Sequence, residues 1–442
     1  VLGETPIANW DEIDGALQTA WDWWEAGSPG ASPDLCAQAA NRIRDRAEDL
    51  VAVLVAEAGK PVMFAAGEVQ RLERTFRLAA SLPSSSEAHE CDLSYDPRGS
   101  EFAGEWRRYP VGPILGFVPY NWPLNLAAHK LAPAIAAGCP ILLKLSPLAP
   151  LCTWLLGEIL ASSGWPRESL ATLALSNEDA QRALTDRRTA MLSFTGSPKV
   201  GWMLKELAPR KRVALELGGN APVIVEPDAD LELAADRIAL SGYGYAGQVC
   251  ISAQNVFVSE SVALKFEAIL AERTAACRTG EPMDPATVCG PMISAGAAHR
   301  VRQVIDESGY EVIARAEAPD HPAMFAPTLL RAGDRSKSVF AAEAFGPILN
   351  LATYRNIDDL TAELNAGPFR LQASMFSENV DRAREIAGRL RYGGVIINEA
   401  PSLRFDSMPY GGEGDSGFGR EGVAFAYEEM TTPRSTVYRK RS

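Results

Sequence analysis

The spacing of apolar residues changes twice along this chain, and the changes divide it into three stretches. Over residues 10–82, Ala, Leu and Val recur every three or four positions between Glu and Arg, which predicts a run of helices. Gly59-Lys60-Pro61 punctuates two of them. A polar, turn-rich stretch over residues 84–100 follows, and residues 101–110 alternate as an edge strand or hairpin arm does.

From residue 114 short apolar runs alternate with helical ones. Strands are expected at 114–119, 141–144, 172–175, 190–194, 213–217 and 223–225, with helices near 127–137, 151–162, 178–184 and 200–207. That rhythm predicts an α/β unit built on a parallel sheet. After Pro227-Asp228-Ala229-Asp230 a further helix opens a second α/β region, with apolar runs at 255–258, 348–354, 374–376 and 395–397. Residues 435–440 read as a short exposed strand, suited to completing another subunit's sheet.

At 442 residues, 47% hydrophobic and 22% charged, the chain is long enough for two or three domains with sizeable cores. A net charge of −13 argues against nucleic acid as a partner, which selects a basic face. The seven cysteines have no paired or metal-like spacing and the four histidines are scattered, so reduced thiols, a cytoplasmic location and no metal are expected. The N-terminus lacks the basic, then apolar, pattern of a signal peptide. The longest apolar stretch, 124–151, is broken by His129, Lys130 and Lys144, so no membrane span is expected.

Cys250 follows a run of small, turn-forming residues, Gly242-Tyr243-Gly244-Tyr245-Ala246-Gly247. Most cysteines of intracellular enzymes are small core residues. A thiolate, however, is the soft nucleophile that attacks an aldehyde carbon. Glu216 lies between two leucines and before Gly218-Gly219, where an apolar setting would raise its pKa and suit it to act as a base. Asn121, in the proline-bounded Pro119-Tyr120-Asn121-Trp122-Pro123, reads as a turn residue or as an amide donor to a developing oxyanion. Lys144 ends a strand at the expected carboxyl edge of the sheet, where nucleotides bind in open α/β folds.

The run at 242–247 satisfies the Gly-x-Gly-x-x-Gly pattern but follows a helix-like stretch instead of a strand, so it is not a dinucleotide fingerprint. Gly196-Ser197 follows a strand and opens a helix, a suitable place for a pyrophosphate on backbone N–H groups.

Several segments, in order, resemble the NAD(P)-dependent aldehyde dehydrogenase superfamily: Pro119-Tyr120-Asn121-Trp122-Pro123, Phe194-Thr195-Gly196-Ser197, Leu215-Glu216-Leu217-Gly218-Gly219, Gly247-Gln248-Val249-Cys250, Glu343-Ala344-Phe345-Gly346-Pro347, and Met408-Pro409-Tyr410-Gly411-Gly412 with Ser416-Gly417-Phe418-Gly419-Arg420-Glu421-Gly422. The resemblance runs from about Gly59 to the C-terminus. It implies a Rossmann-type cofactor domain (1–100 and 111–229), an α/β catalytic domain (230–410) and an oligomerisation arm (101–110 and 429–442) that makes a homodimer or homotetramer. It also implies Cys250 as nucleophile, Glu216 as base and Asn121 in the oxyanion hole. By the same resemblance, Lys144, Ser146, Gly196, Ser197, Glu343 and Phe345 bind NAD or NADP. The segments Trp122–Lys130 and Arg404–Pro409 are most similar to the lactaldehyde and phosphonoacetaldehyde dehydrogenase branch, and imply a small polar or anionic aldehyde met by Arg108, Trp122, Val249, Ile251 and Arg404.

Three departures bear on this. The N-terminus is short for the family. Lys144-Leu145-Ser146-Pro147 lacks the family's glutamate, so no carboxylate there rejects a 2′-phosphate and NADP should be tolerated. Val249 stands where relatives acting on phosphorylated or phosphonate aldehydes often carry arginine. A coenzyme A-acylating or reductive enzyme, and a catalytically idle binding protein, are the alternatives on the same fold.

Overall fold

The computed structural model describes residues 3–29, 31–83 and 87–440. Residues 84–86 of the expected turn-rich stretch, residues 1, 2 and 30 of the expected cofactor domain, and residues 441–442 of the expected arm lie outside it.

Four helices open the chain: Trp10–Glu25, Pro33–Asp45, Ala47–Ala58 and Val62–Ala80. Asn9 starts the first through a reciprocal capping box with Glu12, and Ser32 caps the second ahead of Pro33. Pro33–Asp45 and Val62–Ala80 pack their apolar stripes, including Ile43, Leu72 and Phe76, on the fully buried helix Pro123–Ala137, and Ala47–Ala58 packs with Leu54 against Val62–Ala80.

A six-stranded sheet has the order Gly417–Phe418, Arg212–Glu216, Met191–Thr195, Ile114–Phe117, Ile141–Lys144, Leu170–Leu173, parallel except for the first. Its register sets Phe117 beside both Lys144 and Phe194, and Thr195 beside Glu216. The carboxyl ends of four neighbouring strands are therefore level, and the residues that follow them meet along one edge. A seven-stranded sheet has the order Glu311–Arg315, Thr328–Arg331, Ile348–Tyr354, Asn255–Ser259, Pro222–Val225, Gln372–Phe376, Gly394–Ile397, with only the first strand antiparallel.

The strand Pro222–Val225 was expected to continue the first sheet. It lies within the second instead, so the chain crosses between sheets at 217–221, ahead of the expected boundary at 229/230. A short run buried on both faces has no periodicity to say which parallel sheet it joins. The chain crosses back later, and Gly417–Phe418 pairs with Glu216 and Leu215.

Phe102–Pro110 pairs along its whole length with Thr431–Arg439 in a separate sheet, whose third strand is His89–Glu90. Among the described residues, no helix is long and apolar enough to cross a membrane.

Candidate active site

Cys250 is brought to the carboxyl edge of the six-stranded sheet by an unusual turn. The helix Leu231–Tyr243, capped by Asp230, ends in Gly244–Gly247, where Tyr245, Ala246 and Gly247 all take left-handed backbone angles (φ 52°, 53° and 65°). Such angles are unfavourable for a tyrosine and an alanine, so the surroundings must hold them. Tyr245 N–H donates to the Val288 carbonyl, and the Tyr245 carbonyl accepts from the Gln248 backbone. A side chain on Gly247 would strike the Gly346 carbonyl at 2.2 Å, so only glycine fits there. The Gly-x-Gly-x-x-Gly run thus serves to aim a cysteine.

Asn121 sits just past the end of Ile114–Phe117, buried, with its Nδ2 donating to the Gln248 carbonyl at 2.9 Å. Tyr120 donates to the Gln248 side chain at 3.3 Å. These two bonds tie the oxyanion candidate to the segment that carries the cysteine. The Cys250 thiol is pushed up to about 12, chiefly by burial, with Glu343 and Glu216 acting in the same direction and the Tyr410 hydrogen bond and Arg404 opposing them.

Glu216 ends its strand buried, and its Oε2 has no hydrogen-bond partner among the described residues. Burial, reinforced by the charge of Glu421, raises its pKa well above the usual carboxylate range, with Arg404 and Lys130 pulling the other way. Glu421 is raised by burial too, but Arg404, Lys130 and His129 outweigh this and hold it below its usual value. Two buried carboxylates in one charge network are thereby driven apart, Glu216 upward and Glu421 downward, which makes Glu216 the one suited to exchange protons.

The cofactor candidates lie along the same edge. Lys144 ends its strand with Nζ 6.0 Å from the Phe117 ring centroid and makes no hydrogen bond among the described residues, and burial lowers its pKa. Ser146 is buried close by. Gly196 follows its strand, and Ser197 is the N-cap of Pro198–Leu207 without a side-chain capping bond, leaving N–H groups open to an anion. Glu343 accepts from the Gly219 N–H at 3.3 Å, and a side chain on Gly218 would meet its Oε2 at 2.2 Å. Phe345 is held at φ 47° with its ring edge-on to Tyr120. A lysine without a carboxylate partner, an uncapped helix start and a carboxylate packed on bare glycine backbone fit a dinucleotide.

Cys250, Trp122, Val249, Ile251 and Arg404 line one cavity of about 250 Å³, together with Phe64, Arg71, Asn125 and Tyr410. The Arg404 side chain is buried, its guanidinium 3.7 Å above the Tyr410 ring centroid, and its Nε and Nη2 have no hydrogen-bond partner among the described residues; Glu421 is 3.7 Å from Nη2. Arg108 is not part of this cavity. Its side chain donates to Thr431 Oγ1 at 2.6 Å and the Glu428 carbonyl at 3.0 Å, because alternation along Phe102–Pro110 turns it onto the neighbouring strand of the three-stranded sheet. The second arginine of the cavity is Arg71, from Val62–Ala80, held by Asp406 through Nη2 at 2.6 Å and Nε at 3.3 Å. Sequence reasoning missed Arg71 because Arg74 and Arg77 share its helix and nothing in the spacing singles it out. It also gave Tyr410 no role, although that residue stood within a quoted motif.

The chain matches the aldehyde dehydrogenase family over residues 1–436 and belongs to it. It is an NAD(P)-dependent aldehyde dehydrogenase, an oxidoreductase. Among its relatives is 3-sulfolactaldehyde dehydrogenase of Priestia aryabhattai, 34% identical over 438 residues, covering 98% of this chain and 92% of the relative. Aldehyde dehydrogenase 21 of Physcomitrella patens, solved with its reaction product succinate, superposes with a TM-score of 0.93 at 34% identity, over 98% of this chain and 92% of that one. The glyceraldehyde-3-phosphate dehydrogenase GapN of Methanocaldococcus jannaschii, solved with NADP, gives 0.93 at 32% identity over 100% and 97%.

Proposed function

We propose that this enzyme oxidises a small polar aldehyde bearing an anionic group to the carboxylic acid, with Cys250 as nucleophile. The observation that carries the substrate class is Arg404, a buried guanidinium in the cavity of the nucleophile whose Nε and Nη2 make no hydrogen bond among the described residues, with Glu421 facing Nη2 at 3.7 Å. Arginine binds carboxylate, sulfonate or phosphate oxygens through paired N–H groups. Arg71 shares the cavity and is the second candidate for that tail. The named activities of the three relatives support the same reading, since sulfolactaldehyde, succinate and glyceraldehyde 3-phosphate all carry an anion a few atoms from the reacting carbon.

In the reaction, the Cys250 sulfur bonds the aldehyde carbon. Asn121 Nδ2 and the Cys250 backbone N–H donate to the oxygen as it becomes an oxyanion, each such donor contributing roughly 3 kcal/mol to the transition state. The bound nicotinamide supplies the hydride acceptor. Lys144, Ser146, Gly196 and Ser197 hold the adenosine and pyrophosphate part, while Glu343 and Phe345 hold the nicotinamide end. Glu216 then takes a proton from the water that hydrolyses the Cys250 thioester. The absence of an acid after Ser146 supports tolerance of NADP.

The catalytic machinery is assigned to the two larger sheets and the oligomerisation arm to 101–110 and 429–442. Val437 and Tyr438, 53% and 59% exposed on an edge strand, support assembly into a homodimer or homotetramer. The seven free cysteines support a cytoplasmic location.

The test is reduced-cofactor formation with NAD and NADP over a panel of lactaldehyde, glycolaldehyde, succinate semialdehyde, a phosphonoaldehyde and a plain alkyl aldehyde. Arg404→Met should raise KM at least tenfold for the anionic members and leave KM of the uncharged ones nearly unchanged, while its weakened support of the Cys250 thiolate lowers kcat for both groups alike. An equal rise in KM for both groups would remove the anionic-substrate reading.

A further inference from the structure

The phenol of Tyr410 lies 3.1 Å from the Cys250 sulfur, and both residues line the substrate cavity. Tyr410 is fixed there. Its backbone exchanges two hydrogen bonds with Glu421, N–H to carbonyl in each direction, and its ring is buried beneath the Arg404 guanidinium. Gly411 follows at φ 154°, where any other residue would be strained and would crowd Glu216 Oε1 at 3.1 Å.

We propose that Tyr410 is a catalytic hydrogen-bond donor, whose O–H stabilises the Cys250 thiolate as it forms. This rests on the assignment of Cys250 as nucleophile. A hydroxyl is a stronger donor than a thiol, and once the S–H bond breaks the sulfur can only accept. The thiol proton leaves to solvent through the cavity, and the electron pair stays on sulfur until it bonds the aldehyde carbon. The phenol keeps its own proton throughout, consistent with a pKa pushed well above its usual value by burial.

The charged groups facing the sulfur make such a donor necessary. Glu343 and Glu216 disfavour a thiolate, and burial disfavours it more; Arg404 and Tyr410 are the two groups that favour it. They also act together, because a cation over the ring face draws electron density from the phenol and strengthens its O–H as a donor. The guanidinium proposed to hold the substrate's anion thus sits directly on the ring that polarises the nucleophile.

The experiment is the pH dependence of Cys250 alkylation by iodoacetamide, followed by peptide mass spectrometry, in wild type, Tyr410→Phe and Tyr410→fluorotyrosine, with Cys250→Ala as blank. Loss of a hydrogen bond to a charged group should raise the thiol midpoint by about one to two units, so that alkylation at a fixed lower pH slows roughly tenfold to hundredfold in Tyr410→Phe. Fluorotyrosine, a stronger donor of nearly the same shape, should lower the midpoint and carries the test if the phenylalanine variant fails to fold. The rising limb of kcat/KM should follow both shifts. A midpoint unchanged in both variants overturns the proposal, even if activity falls. Turnover retained by Cys250→Ala would instead overturn the assignment of the nucleophile.

Discussion

Behind the oxyanion loop lies a fully buried ion pair, Lys60 with Glu68, both side chains 0% exposed. The Glu68 carboxylate also accepts the N–H groups of Leu124 (2.9 Å) and Asn125 (3.1 Å), at the first turn of Pro123–Ala137. Lys60 Nζ stands 3.9 Å from the Trp122 ring centroid and 4.5 Å from that of Tyr245. One pair therefore pins the start of the helix after Asn121 and the left-handed turn before Cys250. Lys60→Met would leave Glu68 as an uncompensated charge in the core, which destabilises by roughly 3–5 kcal/mol. That is a large fraction of a typical total stability of about 5–15 kcal/mol. The two cation–ring contacts are lost as well, but their energies do not add simply to the pair's. In Lys60→Met/Glu68→Gln the charge is gone while the amide oxygen can still accept both N–H groups, so most of the loss should return. The assay is the urea midpoint of the three proteins, read by tryptophan fluorescence. A single variant within about 1 kcal/mol of wild type, or a double variant no better than the single, would refute the reasoning.

Three further outcomes follow from the site. Glu216→Gln should give a stoichiometric burst of reduced cofactor in stopped flow and then a steady state slower by roughly 10²–10⁴-fold, since acylation survives and thioester hydrolysis does not; an undiminished steady state would remove Glu216 as the base. Burial raises the Glu343 carboxyl from 4.5 to about 8. The folded chain therefore holds a proton there that the unfolded chain releases, and the stability from this group, full below about pH 4.5, is lost as pH rises towards 8. At about 1.4 kcal/mol per unit this amounts to a few kcal/mol at most, and Glu343→Gln should show a urea midpoint that declines less over that window. Pro147→Glu restores a carboxylate at the expected edge of the adenosine site, and should raise KM for NADP about tenfold or more while leaving that for NAD nearly unchanged.

The sheets were largely legible because their strands are short apolar runs between helices with clear periodicity, and Ile141–Lys144 and Ile348–Tyr354 fall where the spacing puts them. Cys250, Glu216 and Asn121 were legible as motifs because each follows or ends an element within a few residues of glycines or prolines. What the sequence concealed is contact between distant segments. Arg71, on a helix and held by Asp406 335 residues away, and Arg404, in a loop, line one cavity, whereas Arg108 lies on a strand of a separate sheet. The Lys60–Glu68 pair sits in a helical stretch whose other charges are solvated, and only folding distinguishes it.

The central claim, an acyl group carried on Cys250, is tested most directly by intact-protein mass spectrometry of the enzyme quenched during turnover with its best aldehyde and NAD or NADP. The account predicts an added acyl mass on the Cys250 peptide of the wild type, enriched in Glu216→Gln. It predicts neither adduct nor reduced cofactor in Cys250→Ala. Reduced cofactor formed at the wild-type rate by Cys250→Ala, or an acyl mass on another residue, would contradict it.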